Sequence, residues 1–230
     1  MTDTSNRCEA CPHRKGGICE ALALGSDAAL ARPSFMTAKA RSLISRPGQS
    51  QRVAILCAGA AAKFFDLPDG RRQILLLRRP GQLLLGCSAV SPKAPYSAMG
   101  FTDVTVAHID RGEFTDALQS STSVMGRISK LLARDHDEVA QLTIDLGRRS
   151  ALERVCHLFC KFVDWSNAPV MDNKCIVRVP LRQEDIADYL GLTTAHVNRT
   201  IAAMRRENLI ALEEDRLRIK DLAALRAQVA

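Results

Sequence analysis

Apolar and polar positions change their spacing several times along this chain. From about residue 40 to 112, short apolar runs alternate with turn residues. The stretch "AILCAGAAAKFFDLPDGRRQILLL", residues 54–77, holds two β-capable runs on either side of Pro68-Asp69-Gly70, a turn signal that predicts a hairpin. "RPGQ" flanks this stretch at Arg46–Gln49 and Arg79–Gln82. Pro-Gly corners around short strands predict an antiparallel barrel or jelly roll. From Glu113 to Leu146 the period changes. Val124, Ile128, Leu131, Val139, Leu142 and Leu146 fall mostly at steps of three and four, the stripe of a long amphipathic helix. Asp135 interrupts that stripe, which implies a short or imperfect helix–helix seam. Beyond Gly147, helical patterns alternate with short strands, with a break at Asn167-Ala168-Pro169 and a β-capable "CIVRVP" at residues 175–180.

The densest pattern is "LRQEDIADYLGLTTAHVNRTIAAMRRENLI", Leu181 to Ile210. Gln183 to Leu190 predicts a short helix with Ile186, Ala187 and Leu190 on one face. Gly191 follows where a helix ends in a left-handed residue, and Thr193 is a good N-cap for the next helix. In that second helix Val197, Ile201 and Met204 face inward. Thr194, Ala195, Asn198 and Arg199 are left outward near its N-terminus, the part of a recognition helix that reaches base edges in the major groove. Arg199 can pair with guanine O6 and N7, and Asn198 with adenine or a phosphate. Thr194 and His196 can contact backbone or bases, and Arg205 and Arg206 can meet phosphates. "LIALEEDRLRIKDL" then predicts two strands around Glu213–Arg216, a wing. The module reads as a winged helix-turn-helix. The plain alternative is a helical hairpin that binds nothing. In its favour, Pro180 to Ala230 carries eight Lys and Arg against eight Asp and Glu, so its net charge is zero. The agreement of helix, glycine turn, cap, polar outer face and wing outweighs that total.

Composition sets the frame. A chain of 230 residues holds one large or two small domains, and 47% hydrophobic residues can build a core in which aliphatics dominate, aromatics being only 4%. No apolar run is long enough to span a membrane, and the N-terminus lacks a signal-peptide core, so a cytoplasmic location is expected. Eight cysteines in such a compartment are thiols or metal ligands rather than disulfides. The net charge of +7 suits a nucleic-acid partner without requiring one. Three of the cysteines stand in "CEACPHRKGGIC" as C-x2-C-x7-C: Cys8, Cys11 and Cys19. Metal sites usually take four ligands, so one is missing from this segment.

On these motifs the chain resembles the Crp/Fnr family of bacterial transcription regulators over nearly its whole length. "DIADYLGLTTAHVNRTIAAMRRENLI" is similar to the family's DNA-binding signature, and "AGAAAKFFDLPDGRRQILLLRRPGQLL" to its β-roll effector domain. The resemblance implies an α+β chain: a cysteine-rich segment over residues 1–24, a cyclic-nucleotide-domain-like β-roll sensor over 25–115, a dimerisation helix over 116–146, and a winged helix-turn-helix over 147–230. It further implies a homodimer on palindromic double-stranded DNA that contacts or blocks RNA polymerase, and no enzymatic activity. In the family's usual recognition helix a Glu stands two places after the N-cap; here that place holds Ala195.

Cyclic-nucleotide members of the family hold phosphate with a Glu after the Pro-Gly turn and an Arg-Ser pair. Here "QLLLGCSAV" lacks the acid, and Tyr96-Ser97 replaces Arg-Ser, so no cyclic-nucleotide site is expected. "CEACPHRKGGIC" instead resembles the oxygen-sensing Fnr branch, whose iron–sulfur cluster, of the 4Fe-4S kind, takes a fourth cysteine from the β-roll. The resemblance places that fourth ligand at Ala107-His108. Cys87 is then the sulfur substitute and His108 a nitrogen substitute. Cys57, Cys156, Cys160 and Cys175 read as packing residues, though an i, i+4 pair such as Cys156 and Cys160 could bind metal. Zinc, with His13 as a further donor, redox thiols or an empty site remain alternatives at the N-terminus. Outside this class stand two other readings: a cupin-type metal enzyme, for which only His108 falls in the strands, and an adaptor that dimerises without binding DNA.

Overall fold

A computed structural model describes residues 8–24, 26, 28–48, 52–84 and 95–229. Cys87 lies outside the described residues. The chain forms two compact units, Met1–Val139 and Ala140–Ala230.

The first unit opens with a single turn of helix, α1 (Ile18–Ala21). Seven strands follow: β1 (Ser34–Ala38), β2 (Leu43–Ser45), β3 (Arg52–Ala58), β4 (Ala61–Asp66), β5 (Arg72–Arg78), β6 (Ser97–Gly100) and β7 (Val104–Asp110). They form two antiparallel sheets in the orders β1-β7-β3 and β2-β6-β4-β5. The hairpin expected at Pro68-Asp69-Gly70 is β4–β5, closed by the Gly70 N–H on the Leu67 carbonyl.

The sheet containing β3 and β7 is buried on both faces, which is why "VAIL" reads as a continuous apolar run rather than an alternation. Ala54, Leu56, Val104 and Val106 pack with Leu84, Tyr96 and Ala98. On the opposite face Val53, Ile55, Ala107 and Ile109 pack against the N-terminal segment and the helices that follow β7. Residues Gly81–Leu84 bond along the outer edge of β3, so that edge is not left open.

The helical pattern from Glu113 to Leu146 is two helices, not one: α2 (Arg111–Ser120) and α3 (Thr122–Arg148). Ser121 is extended and ends the first, and its hydroxyl accepts from the Val124 N–H to start the second. Asp135 does more than interrupt the stripe. Its carboxylate takes Lys63 Nζ from β4 at 3.3 Å and Arg78 Nη2 from β5. Both cations are buried in the sheet, at 2% exposure each.

The second unit contains the end of α3, then α4 (Ala151–Ser166), β8 (Cys175–Arg178), α5 (Gln183–Leu190), α6 (Thr194–Arg206), β9 (Ile210–Glu213), β10 (Arg216–Ile219) and α7 (Leu222–Ala227). Its sheet runs β8-β10-β9. Ser150 and Glu153 form a capping box at the start of α4. Arg154 donates to the carbonyls of Leu146, Arg149 and Leu190, fastening the ends of α3 and α5 to α4. No helix among the described residues is long and apolar enough to cross a membrane.

Candidate functional site

The N-terminal cysteines sit on a segment that is docked by its own apolar side chains. Ile18, Leu22 and Leu24 are at most 1% exposed and pack on the outer face of the β3–β7 sheet with Phe114 and Val124. Each such burial is worth about 1.5–3 kcal/mol. Local turns shape the intervening chain: the N–H groups of Cys11, Arg14 and Gly17 bond back to Cys8, Cys11 and Arg14. The thiols are thereby held over the sheet, around a cavity of about 390 Å³.

Cys8, Cys11 and Cys19 line that cavity from the N-terminal side, and Cys57 of β3 lines it from the sheet side, next to Phe35, Thr105 and Ala107. The residues lining the cavity include no charged side chain. Burial pushes the Cys19 thiol up to about 12, and Cys57, then Cys8 and Cys11, add to the effect. Among the described residues no three His, Cys, Asp or Glu side chains converge as a single metal ion needs. A tetrahedral zinc with bonds of about 2.3 Å would draw its sulfurs to within roughly 4 Å of one another.

Cys57, read as a packing residue, packs against the cluster that contains Val53 and Ile55 and also lines the cavity. His108, the proposed nitrogen substitute, does not line the cavity. Side chains alternate along β7, so Ala107 faces the thiols and His108, paired with Ser34 and Ala54, faces the other way. Burial, and then Arg52, lower its pKa. His13, the further donor considered for zinc, packs against Gly81.

Cys156, Cys160 and Cys175 are buried in the second unit, and no disulfide joins any of the described cysteines. Burial pushes Cys156 up to about 12 and Cys160 to about 11. At pH 8 both thiols therefore hold their protons, whereas an unfolded cysteine is already partly thiolate. Iodoacetamide at pH 8 should modify both at least about a hundredfold more slowly in the native protein than in guanidinium. Equal rates, read by mass spectrometry, would contradict their burial as packing residues.

In the second unit α5 ends at Gly191, whose φ of 61° is left-handed. A Cβ there would lie 2.9 Å from Leu146 Cδ2, so both conformation and space call for glycine. The Leu192 N–H bonds the Ala187 carbonyl, and the Thr193 hydroxyl caps α6 by accepting from the His196 N–H at 3.2 Å. Val197, Thr200, Ile201 and Met204 are the buried face of α6. Thr194, Ala195, His196, Asn198 and Arg199 are all exposed, as are Arg205 and Arg206. Arg205, expected at a phosphate, also donates to the Leu212 carbonyl and so ties α6 to the wing strand. The wing is the β9–β10 hairpin, with Glu213 opposite Arg216, and Arg178 pairs with Asp215 at 2.9 Å.

This geometry is one that known proteins share. Residues 153–228 match the Crp-like helix-turn-helix domain. The chain is 32% identical over 182 residues to the transcriptional activatory protein AadR of Rhodopseudomonas palustris, covering 78% of this chain and 74% of that protein. The chain belongs to the Crp/Fnr family of transcription regulators. It is also 32% identical over 164 residues to the nitrogen fixation regulation protein FixK of Bradyrhizobium diazoefficiens, covering 71% of this chain and 68% of that one. The fold matches the structure of FixK2 from Bradyrhizobium japonicum with a TM-score of 0.76 at 20% identity, over 86% of this chain and 98% of the other.

As a Crp/Fnr regulator the chain binds DNA, and it is not an enzyme. Arg199 is the exposed α6 side chain best suited to a bidentate contact with guanine. Arg199→Ala should cost about 1–3 kcal/mol of operator binding and relax specificity at one base pair per half-site. A loss of the same size on every sequence, measured by competition with mutated operators, would reduce Arg199 to a phosphate contact.

Proposed function

We propose that this Crp/Fnr regulator works as a homodimer whose DNA affinity responds to oxygen, nitric oxide or redox state through a 4Fe-4S cluster held by the N-terminal thiols. The observation that carries the reading is the cavity: several cysteines around a space of about 390 Å³. Thiolates are the donors that iron–sulfur clusters take. When bound, such a cluster supplies iron that oxidants can dislodge. Cys8, Cys11 and Cys19 would hold it. Ile18, Leu22 and Leu24 fix their segment against the face where α2 and the start of α3 also pack. A change at the thiols would reach the helices through this shared packing.

The dimer rests on α3. Met125, Leu132 and Val139 recur every seven residues and are 46%, 38% and 36% exposed, whereas Ile128 and Leu142 on another side are buried. A seven-residue apolar repeat left outside the core suits a second copy of the same helix. Two recognition helices would then reach successive major grooves about 34 Å apart on a palindromic operator, from which the dimer contacts or blocks RNA polymerase in the cytoplasm. Anaerobic purification with iron, sulfide and visible spectroscopy, alongside sedimentation, tests the reading. Iron and sulfide in matched amounts on a dimer are expected; zinc alone, or a monomer, overturns it.

A further inference from the structure

The resemblance leaves the β-roll ligand unassigned, because position 107 on β7 is Ala. β3 lies beside β7, and their pairing carries an irregularity at one place. Leu56 pairs with Val106 and Ala58 with Thr105, so Cys57 is an extra residue in β3. This is a β-bulge, which re-aims a side chain without unpairing the strands around it. Gly59 follows with a φ of 86°, and a Cβ there would lie 2.3 Å from the Asp103 carbonyl oxygen. The strand is therefore turned sharply just past the bulge. Ile55 pairs with Ala107, which puts Cys57 on the same face as Ala107 and diagonal to it. Cys57, Ala107 and Thr105 all line the cavity that Cys8, Cys11 and Cys19 line from the opposite side.

We propose that Cys57 is the fourth thiolate ligand of the N-terminal site, delivered by the β3 bulge in place of the β7 residue at position 107. The assignment rests on the cluster reading above and deepens it. Among the other cysteines, Cys156, Cys160 and Cys175 belong to the winged-helix unit. The small side chain of Ala107 leaves the room beside Cys57 that a bulkier residue would fill. On ligation the Cys57 thiol gives its proton to solvent and its sulfur lone pair to iron. No electron transfer is involved.

The test uses the full chain, reconstituted anaerobically with ferrous iron and sulfide, and reads iron, acid-labile sulfide, the visible spectrum and the Mössbauer spectrum. Cys57→Ser and Cys57→Ala should lose the cluster or convert it to a species with a different Mössbauer signature. Cys87→Ser should match wild type. Ala107→Cys introduced into Cys57→Ser should restore iron and sulfide, because it returns a thiol to the same face one strand away; that repair also shows that the parent variant folds. A loaded wild type with equally loaded and spectrally unchanged Cys57→Ser and Cys57→Ala overturns this assignment and leaves the cluster standing. So does loss of the cluster in Cys87→Ser with no repair by Ala107→Cys, which would give Cys87 the place. A wild type that takes up no iron overturns the cluster reading and the assignment with it.

Discussion

Asp135→Ala should destabilise the first unit by about 3 kcal/mol, the low end of the range for removing one partner of a buried ion pair, because the carboxylate itself is 27% exposed. The carboxylate serves two buried cations, Lys63 and Arg78. Arg78 Nε and Nη1 are already buried without a hydrogen-bond partner among the described residues. Removing Asp135 takes away the partner of its Nη2 as well. The loss should appear as a lower urea midpoint for that unit, with the midpoint of the winged-helix unit unchanged. Replacing all three residues with apolar ones of similar size (Lys63→Met, Arg78→Met and Asp135→Leu together) should recover most of the loss, because the cost lies in the stranded charges. If the single variant unfolds at the wild-type midpoint, the pairing contributes nothing.

Leu22→Ala should cost about 2–5 kcal/mol at its own site, the usual range for truncating a fully buried leucine. The effect should be local. Leu22 is part of the anchor that holds the cysteine segment on the β3–β7 sheet, and its carbonyl also accepts from the Leu30 N–H. Hydrogen exchange over residues 8–24 should accelerate while the sheet stays protected. The reconstituted site should lose iron faster in air than wild type, although no thiol has been altered. Unchanged exchange would mean that the segment is held by something other than its apolar anchor.

How far the sequence could be read depended on whether a signal was local. The helix-turn-helix was legible residue by residue: cap at Thr193, left-handed Gly191, inward Val197, Ile201 and Met204, outward Asn198 and Arg199. All of these follow from neighbours within a few positions. The β4–β5 hairpin was legible for the same reason. The pairing of Asp135 with Lys63 and Arg78 was not, because it joins positions 72 and 57 residues apart. Three charges, two cations and one anion, beside apolar runs were its only trace. The break at Ser121 was marked by the polar run Gln119–Ser123, across which the apolar step from Leu118 to Val124 is six, but the steps of three and four beyond it carried the helical reading through. That Cys57 also lines the thiol cavity was not legible, since strand alternation cannot show what covers the face it lies on. The bulge at Cys57 is a property of pairing with β7. His108 stands one residue along β7 from Ala107, which in a strand means the opposite face.

If the thiol site governs DNA binding, a fluorescence-anisotropy titration shows it on one anaerobic, reconstituted sample, using a duplex selected from a random double-stranded pool, before and after brief exposure to air. A coupling between sensor site and operator predicts that affinity for the selected duplex falls by roughly 5- to 150-fold after exposure, with non-specific binding little changed. Equal affinity before and after, on a sample whose visible spectrum has bleached, would contradict the account.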